Sequence, residues 1–310
     1  MNQSINNTQF PSVENGKGVA FSVLIANYNN GKFILDAINS VKHQSCSNWE
    51  LIIIDDCSTD NSADIYKSLE RDDRIHIFFN EHNMGQGYTK HQCVLRAEGE
   101  ICGFLDPDDA LAEDAIKIMV EEHRKHPDAS LINSTRYDTD EKLNVLSICT
   151  YGCSIPSDQT FLSYRKGITH FATFKKKYYE MTEGIGTFMS RAPDHDLYYK
   201  LEEVGNVFFV DKPLYYYRQN TGINFSLGDE NMLKAHAWDI YAMINACRRR
   251  EISIEKNALK YVDVFVNYGI NLGANKVRKS KSFKLGHFLL HPIDSILKHL
   301  RAKKMFQSNA

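Results

Sequence analysis

Two acidic stretches of this sequence could do chemistry, Asp55-Asp56 and Asp106-Pro107-Asp108-Asp109. Carboxylates this close repel one another unless something neutralises them. A hard divalent cation such as Mg²⁺ or Mn²⁺ does so, using one or two carboxylates together with substrate phosphate. The spacing of Asp106 and Asp108 places two carboxylates within reach of one metal–diphosphate complex. The same acids could instead form a turn, with Asp109 or Asp114 capping the next helix. Asp55-Asp56 has a similar choice. It could end a strand as a turn former, or accept a hydrogen bond from the imide N–H of a base, which would select uracil.

The elements around these acids decide what they can reach. Ala20 to Ala26 is a short apolar run rich in Val, Leu and Ile, broken by Asn27-Tyr28-Asn29-Asn30-Gly31. Phe33, Ile34, Ala37, Ile38 and Val41 follow at helical spacing. Trp49 to Ile54 predicts a second strand, and Ser58 or Asp60 can cap the helix carrying Ala63, Ile65, Tyr66 and Leu69. Ile75 to Phe79 and Ile101 to Leu105 predict two more strands, with helices over 87–97 and around Ala115, Ile116, Met119 and Val120. Such alternation predicts an α/β fold with a mostly parallel sheet flanked by helices. Ligands of such sheets bind beyond the carboxyl ends of the strands. Asn27-Tyr28-Asn29, Asp55-Asp56 and Asp106 to Asp109 all fall at such ends, so they are expected to converge. From about residue 131 the alternation blurs, and 147–190 has few clear periods. Helices are expected over 196–204, 232–247 and 256–272, and a strand from Val207 to Val210.

The formal net charge of −2 argues against nucleic acid as a bulk partner. Basic residues gather at the end, however. Lys276, Arg278, Lys279, Lys281, Lys284, Lys298, Arg301, Lys303 and Lys304 face a single acid, Asp294. After Pro292, Ile293, Ile296, Leu297 and Leu300 form one helical stripe. This segment predicts either a helix packed on the domain or one lying in the plane of an anionic membrane surface. The seven cysteines lack a CxxC pair and are expected to be free thiols in a reducing compartment. No apolar run approaches the roughly 18 residues of a membrane span, and the polar Met1 to Lys17 lacks the character of a signal peptide. The expected location is cytoplasmic, with peripheral attachment at the inner face of the membrane.

At this point the sequence resembles family 2 glycosyltransferases. Ser22 to Asn29 is similar to their opening strand, and Glu50 to Asp60 to their base-binding segment. Asn83-Met84-Gly85 with Lys90, Ala97 to Glu100, Phe104 to Asp109, Asp194-His195-Asp196-Leu197 and Pro213 to Arg218 continue the pattern in order, over roughly residues 20–225. The resemblance implies a GT-A fold in 19–225, with a flexible tail over 1–18 and a helical C-terminal extension over 226–310. It implies that Ala26 and Tyr28 line the base pocket, that Asp56 binds the uracil edge with Asp55 in support, and that Lys90 lies near the nucleotide. Asp106 would face the ribose or the metal, and Asp108 would ligate Mn²⁺ or Mg²⁺. Asp194 matches the second position of the family's Glu-Asp motif, the catalytic base. Pro193 stands where the family has Glu, which leaves Asp196 as a rival. The family's His after Tyr-Arg is replaced by Gln219 and Asn220. His170 could contact substrate or serve the core.

The implied activity is transfer of a sugar from a UDP-sugar donor to a saccharide or lipid-linked acceptor, with inversion. Two other readings compete. A nucleotidyltransferase would also use acidic metal ligands on an α/β sheet, but Asn29-Asn30-Gly31 is a poor phosphate loop. A catalytically inactive sugar-binding or scaffold protein would tolerate Pro193 and Asn220.

Overall fold

The computed structural model describes residues 18–164, 166–219 and 229–257. Strands β1 (Phe21–Asn27), β2 (Trp49–Asp55), β3 (Ile75–Phe79) and β4 (Ile101–Phe104) lie parallel in the order β3-β2-β1-β4. Helices α1 (Ile34–Lys42), α2 (Ser62–Ser68) and α3 (Gln86–Arg96) make the crossovers. The alternation predicted for the first part of the chain is therefore present. The chain continues with β5 (Ala110–Leu111), α4 (Ala115–Lys125), β6 (Ala129–Thr139), β7 (Val145–Ile148), α5 (Phe161–Tyr164) and β8 (Ala172–Lys175). It ends with α6 (Lys176–Tyr179), α7 (Pro193–Glu202), β9 (Asn206–Arg218), α8 (Asp229–Arg249) and α9 (Ile254–Asn257).

The sheet becomes mixed where β8 runs antiparallel between β4 and β6. β6 then pairs with β9 in parallel, and β5 closes that end against β9. Gly103 makes the junction possible, because a Cβ there would stand 2.7 Å from the Phe171 ring. The strand expected at Val207 to Val210 runs on through Pro213 to Arg218, past register shifts in its pairing with β6.

Strand β1 is buried on both faces, and its alternation divides the core. Phe21, Val23 and Ile25 meet Ile34, Ile38 and Val41 of α1 and Ile116 and Met119 of α4. Leu24 belongs to the opposite layer, with Cys93 and Val94 of α3, Leu197 and Leu201 of α7, and Ala242, Met243 and Ala246 of α8. Burying each of the larger aliphatic side chains stabilises the fold by about 1.5–3 kcal/mol. Two such layers hold the sheet edge-on to solvent at the ends of β1, β2 and β4. Asn27 is in register with Asp55, and Leu24 with Phe104, so all three chain exits open on one side.

Among the described residues, no helix is long and apolar enough to cross a membrane. The expected tail, the helical stretch beyond residue 257, the basic helix within 276–310 and Asn220 lie outside the described residues.

Candidate active site

A cavity of about 540 Å³ opens at that edge. Its lining includes Ala26, Tyr28, Asp56, Asp106, Asp108 and Asp194, six of the eight residues expected in the site. The other two, Asp55 and Lys90, stand behind the wall.

On the β1–β2 side the carboxylates are held by fixed donors. Asp55 is buried and accepts from Asn27 Nδ2 at 2.9 Å, Tyr66 Oη at 3.0 Å and Ser58 N–H at 2.7 Å. Burial, then the charge of Asp55, pushes the Tyr66 phenol far above its ordinary value, so it stays a donor. Asp56 accepts from Met84 N–H and Asn80 Nδ2 on one oxygen and from Gly85 N–H on the other, at 2.7–2.8 Å. Gly85 has φ +86°, a conformation that favours glycine, and it turns its N–H onto the carboxylate. Each oxygen of a carboxylate has two lone pairs, so the Gly85-bound oxygen keeps one acceptor site for a ligand.

The Asp106–Asp109 segment is braced from β9. Tyr215 Oη donates to Asp109 at 2.9 Å and accepts from Asp106 N–H at 3.0 Å. Arg218 N–H donates to the other Asp109 oxygen at 2.8 Å, and the Arg218 guanidinium reaches the Asp108 carbonyl at 2.5 Å, the Glu141 carbonyl at 2.8 Å and the Asp36 carboxylate. Lys90, buried beneath, places Nζ 3.3 Å from Asp106, and His170 Nε2 lies 3.6 Å from its other oxygen. Burial works to raise the Asp106 carboxyl, but Lys90 and His170 outweigh it and hold it well below the carboxylate range. Burial also works against the charged form of Lys90, yet the charges of Asp106 and Asp194 keep its ammonium above its usual value. His170 thus acts from behind the cavity, packed at 4.9 Å against Tyr215.

The third wall is the start of α7. Ala192 adopts a left-handed conformation (φ 51°), and Pro193 begins the helix. Proline suits a first helical position because its φ is preset and it has no N–H to lose. The departure at Pro193 therefore leaves the helix start intact, with Asp194 on the cavity. Asp196 turns away. It is buried, pairs with Lys200 Nζ at 2.7 Å and lines a different cavity. His195 also lines the first cavity, with Nδ1 2.9 Å from Asp239 on α8.

The sequence pattern that defines glycosyl transferase family 2 matches residues 22–192, more than half of the chain and including every wall described so far up to Ala192. The chain belongs to glycosyl transferase family 2. Among curated members, chondroitin synthase of Escherichia coli is 28% identical over 244 residues, covering 74% of this chain and 35% of that protein. The putative teichuronic acid biosynthesis glycosyltransferase TuaG of Bacillus subtilis is 40% identical over 101 residues, covering 32% of this chain and 40% of its own. The chain thus spans well under half the length of either. Among solved structures, S. aureus TarS 1-349 in complex with UDP-GlcNAc has a TM-score of 0.61 at 19% identity, covering 77% of this chain and 69% of that one. That likeness confirms the GT-A architecture.

Family 2 and the GT-A fold raise the question of a metal. Among the described residues, no group of three or more His, Cys, Asp or Glu forms a ready-made metal set. The residues fit a cation that substrate phosphates help to hold. Asp108 lines the cavity, and burial, then the charges of Asp108 and Asp106, drives the Asp109 carboxyl far above its ordinary value. A cation relieves that repulsion. Several lining residues of this family 2 site carried no signal in the sequence. Ser190, Arg191 and Ala192 come from a loop at and just beyond the end of the stretch without periods, and Gln86 and Thr89 read as ordinary polar residues, whereas Asn83 and His195 entered only as members of the family motifs with no role of their own. Arg218 was visible only as part of the Tyr-Arg pattern, and nothing there announced a buried strut.

Proposed function

We propose that this chain transfers a sugar from a UDP-sugar to a hydroxyl of a saccharide or lipid-linked acceptor, with inversion, in surface-polysaccharide assembly. The observation that carries the reading is one cavity lined at once by Asp56, by Asp106 and Asp108, and by Asp194. Tyr28 stacks on the base, and the remaining acceptor site of Asp56 takes the uracil imide. Asp55 holds the Asp56 loop in place from behind. Asp106 is kept ionised by Lys90 and faces the ribose. Mn²⁺ or Mg²⁺ held by Asp108 would supply Lewis-acid neutralisation of the diphosphate. Asp194 removes the acceptor proton as the hydroxyl oxygen bonds to the anomeric carbon and the bond from that carbon to the diphosphate breaks. The names of the curated relatives support a polysaccharide product, and the TarS complex supports a UDP-sugar donor.

Calorimetry with UDP and Mn²⁺ tests the donor side. Asp108→Asn should leave the fold intact and weaken metal-dependent UDP binding, and unchanged affinity would remove Asp108 from that role. Failure to release UDP from any UDP-sugar with saccharide acceptors would overturn the activity itself. The basic C-terminal segment is proposed to hold the enzyme at the cytoplasmic face of the membrane, each basic residue adding about 1 kcal/mol on anionic lipid. Removing residues 276–310 should abolish co-sedimentation with anionic liposomes and preserve UDP binding. Full-length protein that ignores such liposomes at low salt counts against it.

A further inference from the structure

A second cavity of about 540 Å³ lies beside the first, with the 186–192 loop as the shared wall. Gly186 to Met189 line the second cavity, and Ser190 to Ala192 line the first. Helix α7 divides in the same way, with Asp194 and His195 on the first and Asp196 and Lys200 on the second. Helix α8 runs past both. Ala235 borders the first cavity, and Tyr241, Asn245 and Arg248 border the second. At 1.5 Å per residue, Ala235 to Arg248 spans about 20 Å along the helix.

Between the two stands an aromatic cluster. Phe188, Trp238 and Tyr241 have mutual ring-centroid distances of 5.7–6.0 Å, and Phe188 is 62% exposed. Burying these rings together would stabilise the fold, yet the loop holds Phe188 out into solvent. A contiguous exposed apolar patch rimmed by polar residues is a mark of a ligand-binding groove or an interaction surface. The polar groups of the second cavity divide into paired and available ones. Lys200 is committed to Asp196 and the Gly184 carbonyl, and Arg249 to Glu203. Arg248 and Asn245 stand on the rim with side-chain donors suited to hydroxyl or carboxylate oxygens.

The geometry points to this second cavity as a subsite for the acceptor: a chain of pyranose units whose end enters the first cavity at Asp194. A pyranose presents apolar C–H faces and an equator of hydroxyls. Phe188, Trp238 and Tyr241 supply rings for the faces, and Asn245, Thr187 and Arg248 supply hydrogen bonds for the equator. The inference rests on the transferase reading above and adds where the growing chain lies. It also explains why α8 is docked so firmly, by His195–Asp239 at 2.9 Å and by Arg249 and Arg250 on Glu203 at 2.7–3.0 Å, since α8 forms one side of the track.

Trp238 makes the test direct, because the only other tryptophan, Trp49, is buried in the opposite layer. The full-length chain is titrated with a panel of hexasaccharides, neutral and uronate-bearing, while Trp emission is followed and UDP binding is measured in parallel. At least one hexasaccharide should quench Trp238 and bind more tightly than its disaccharide. Phe188→Ala should weaken that binding about tenfold, the worth of one aromatic contact, and Arg248→Gln should weaken the uronate-bearing members more than the neutral ones. Both residues are exposed, and UDP affinity should not change in either variant. No quenching by any member, or binding indifferent to both substitutions, overturns the subsite. A Trp signal that follows protein concentration and ignores sugar also overturns it, assigning the face to a second copy of the chain. Hexasaccharide binding without UDP binding supports the subsite and sinks the donor reading instead.

Discussion

The walls of the first cavity are built on two different principles. The wall made by β1, β2 and β4 fixes its carboxylates with local donors. Asp55, Asp56 and Asp109 each accept at least two hydrogen bonds from neighbouring loops or strands. The opposite wall is the first turn of α7, and it gains its position from packing behind it, through Leu197, Leu201 and the contacts with α8. Adjacent acids divide labour on both sides. Asp55 braces while Asp56 faces the cavity, and Asp196 braces while Asp194 faces it; Asp108 and Asp109 both line the cavity, and Asp109 also takes the donors of Tyr215 and Arg218. Sequence proximity thus hides two kinds of carboxylate, and substitution separates them.

The largest contrast is expected between Asp194 and Asp196. Asp194→Asn should lower turnover by about 10²–10⁴-fold, the usual worth of a general base. Its UDP affinity and stability should stay near those of the native protein. Asp196→Asn leaves buried Lys200 with only the exposed Glu183, 3.9 Å away, as counter-ion, a change that costs up to about 3–5 kcal/mol of stability. Single-turnover rates beside urea unfolding measure both. If Asp196→Asn is the more damaging to chemistry while the fold holds, the two roles are reversed.

A smaller effect is expected at Arg218, which braces the Asp106–Asp109 segment from β9. Arg218→Met removes the donors to the buried Asp108 carbonyl and to the carbonyl of exposed Glu141, and the buried acceptor left unmatched costs about 1–3 kcal/mol. The unfolding midpoint should fall, and UDP affinity should fall with it as the segment loosens. A loss of stability with unchanged UDP affinity would mean that the brace does not set the site.

The same division explains how much was legible beforehand. In β1, β2 and β4 the apolar runs are buried on both faces and end in turn residues, so both the strands and the converging acids could be read. That Asp55 faces inward could not be read, because it depends on Asn27, Ser58 and Tyr66 meeting across the sheet. Beyond residue 131 the strands mix polar and aromatic residues. β6 buries Ser130, Asn133, Ser134 and Thr135, which satisfy themselves through side-chain hydrogen bonds. Such a strand has no apolar signature, and β8 is only four residues long. The family pattern favoured Asp194 and kept Asp196 as a rival; that Asp194 lines the first cavity and Asp196 the second depends on the direction of α7, which its neighbours set.

The seam between the two regions offers the most graded prediction, small near neutral pH and growing as pH falls. His123, near the end of α4, lies under the inserted strand β8 with Nε2 3.0 Å from Thr173 Oγ1. Burial, then the charge of Lys175, depresses the imidazole to about 3, so it is neutral in the fold. In the unfolded chain it titrates near its ordinary value of 6.5. The unfolded state therefore binds the proton first as pH falls, and the stability this residue contributes is complete above about pH 6.5. Below that it should be lost at about 1.4 kcal/mol per pH unit until the folded form also titrates near pH 3. Urea unfolding of the native protein and of His123→Leu between pH 7.5 and about 4.5 checks this. The leucine variant loses the Thr173 contact at every pH, which shifts its curve by a constant, so only the difference in slope reports the histidine. Equal slopes would mean that protonated His123 is accommodated, and that the seam between the two regions admits water where the fold describes it as closed.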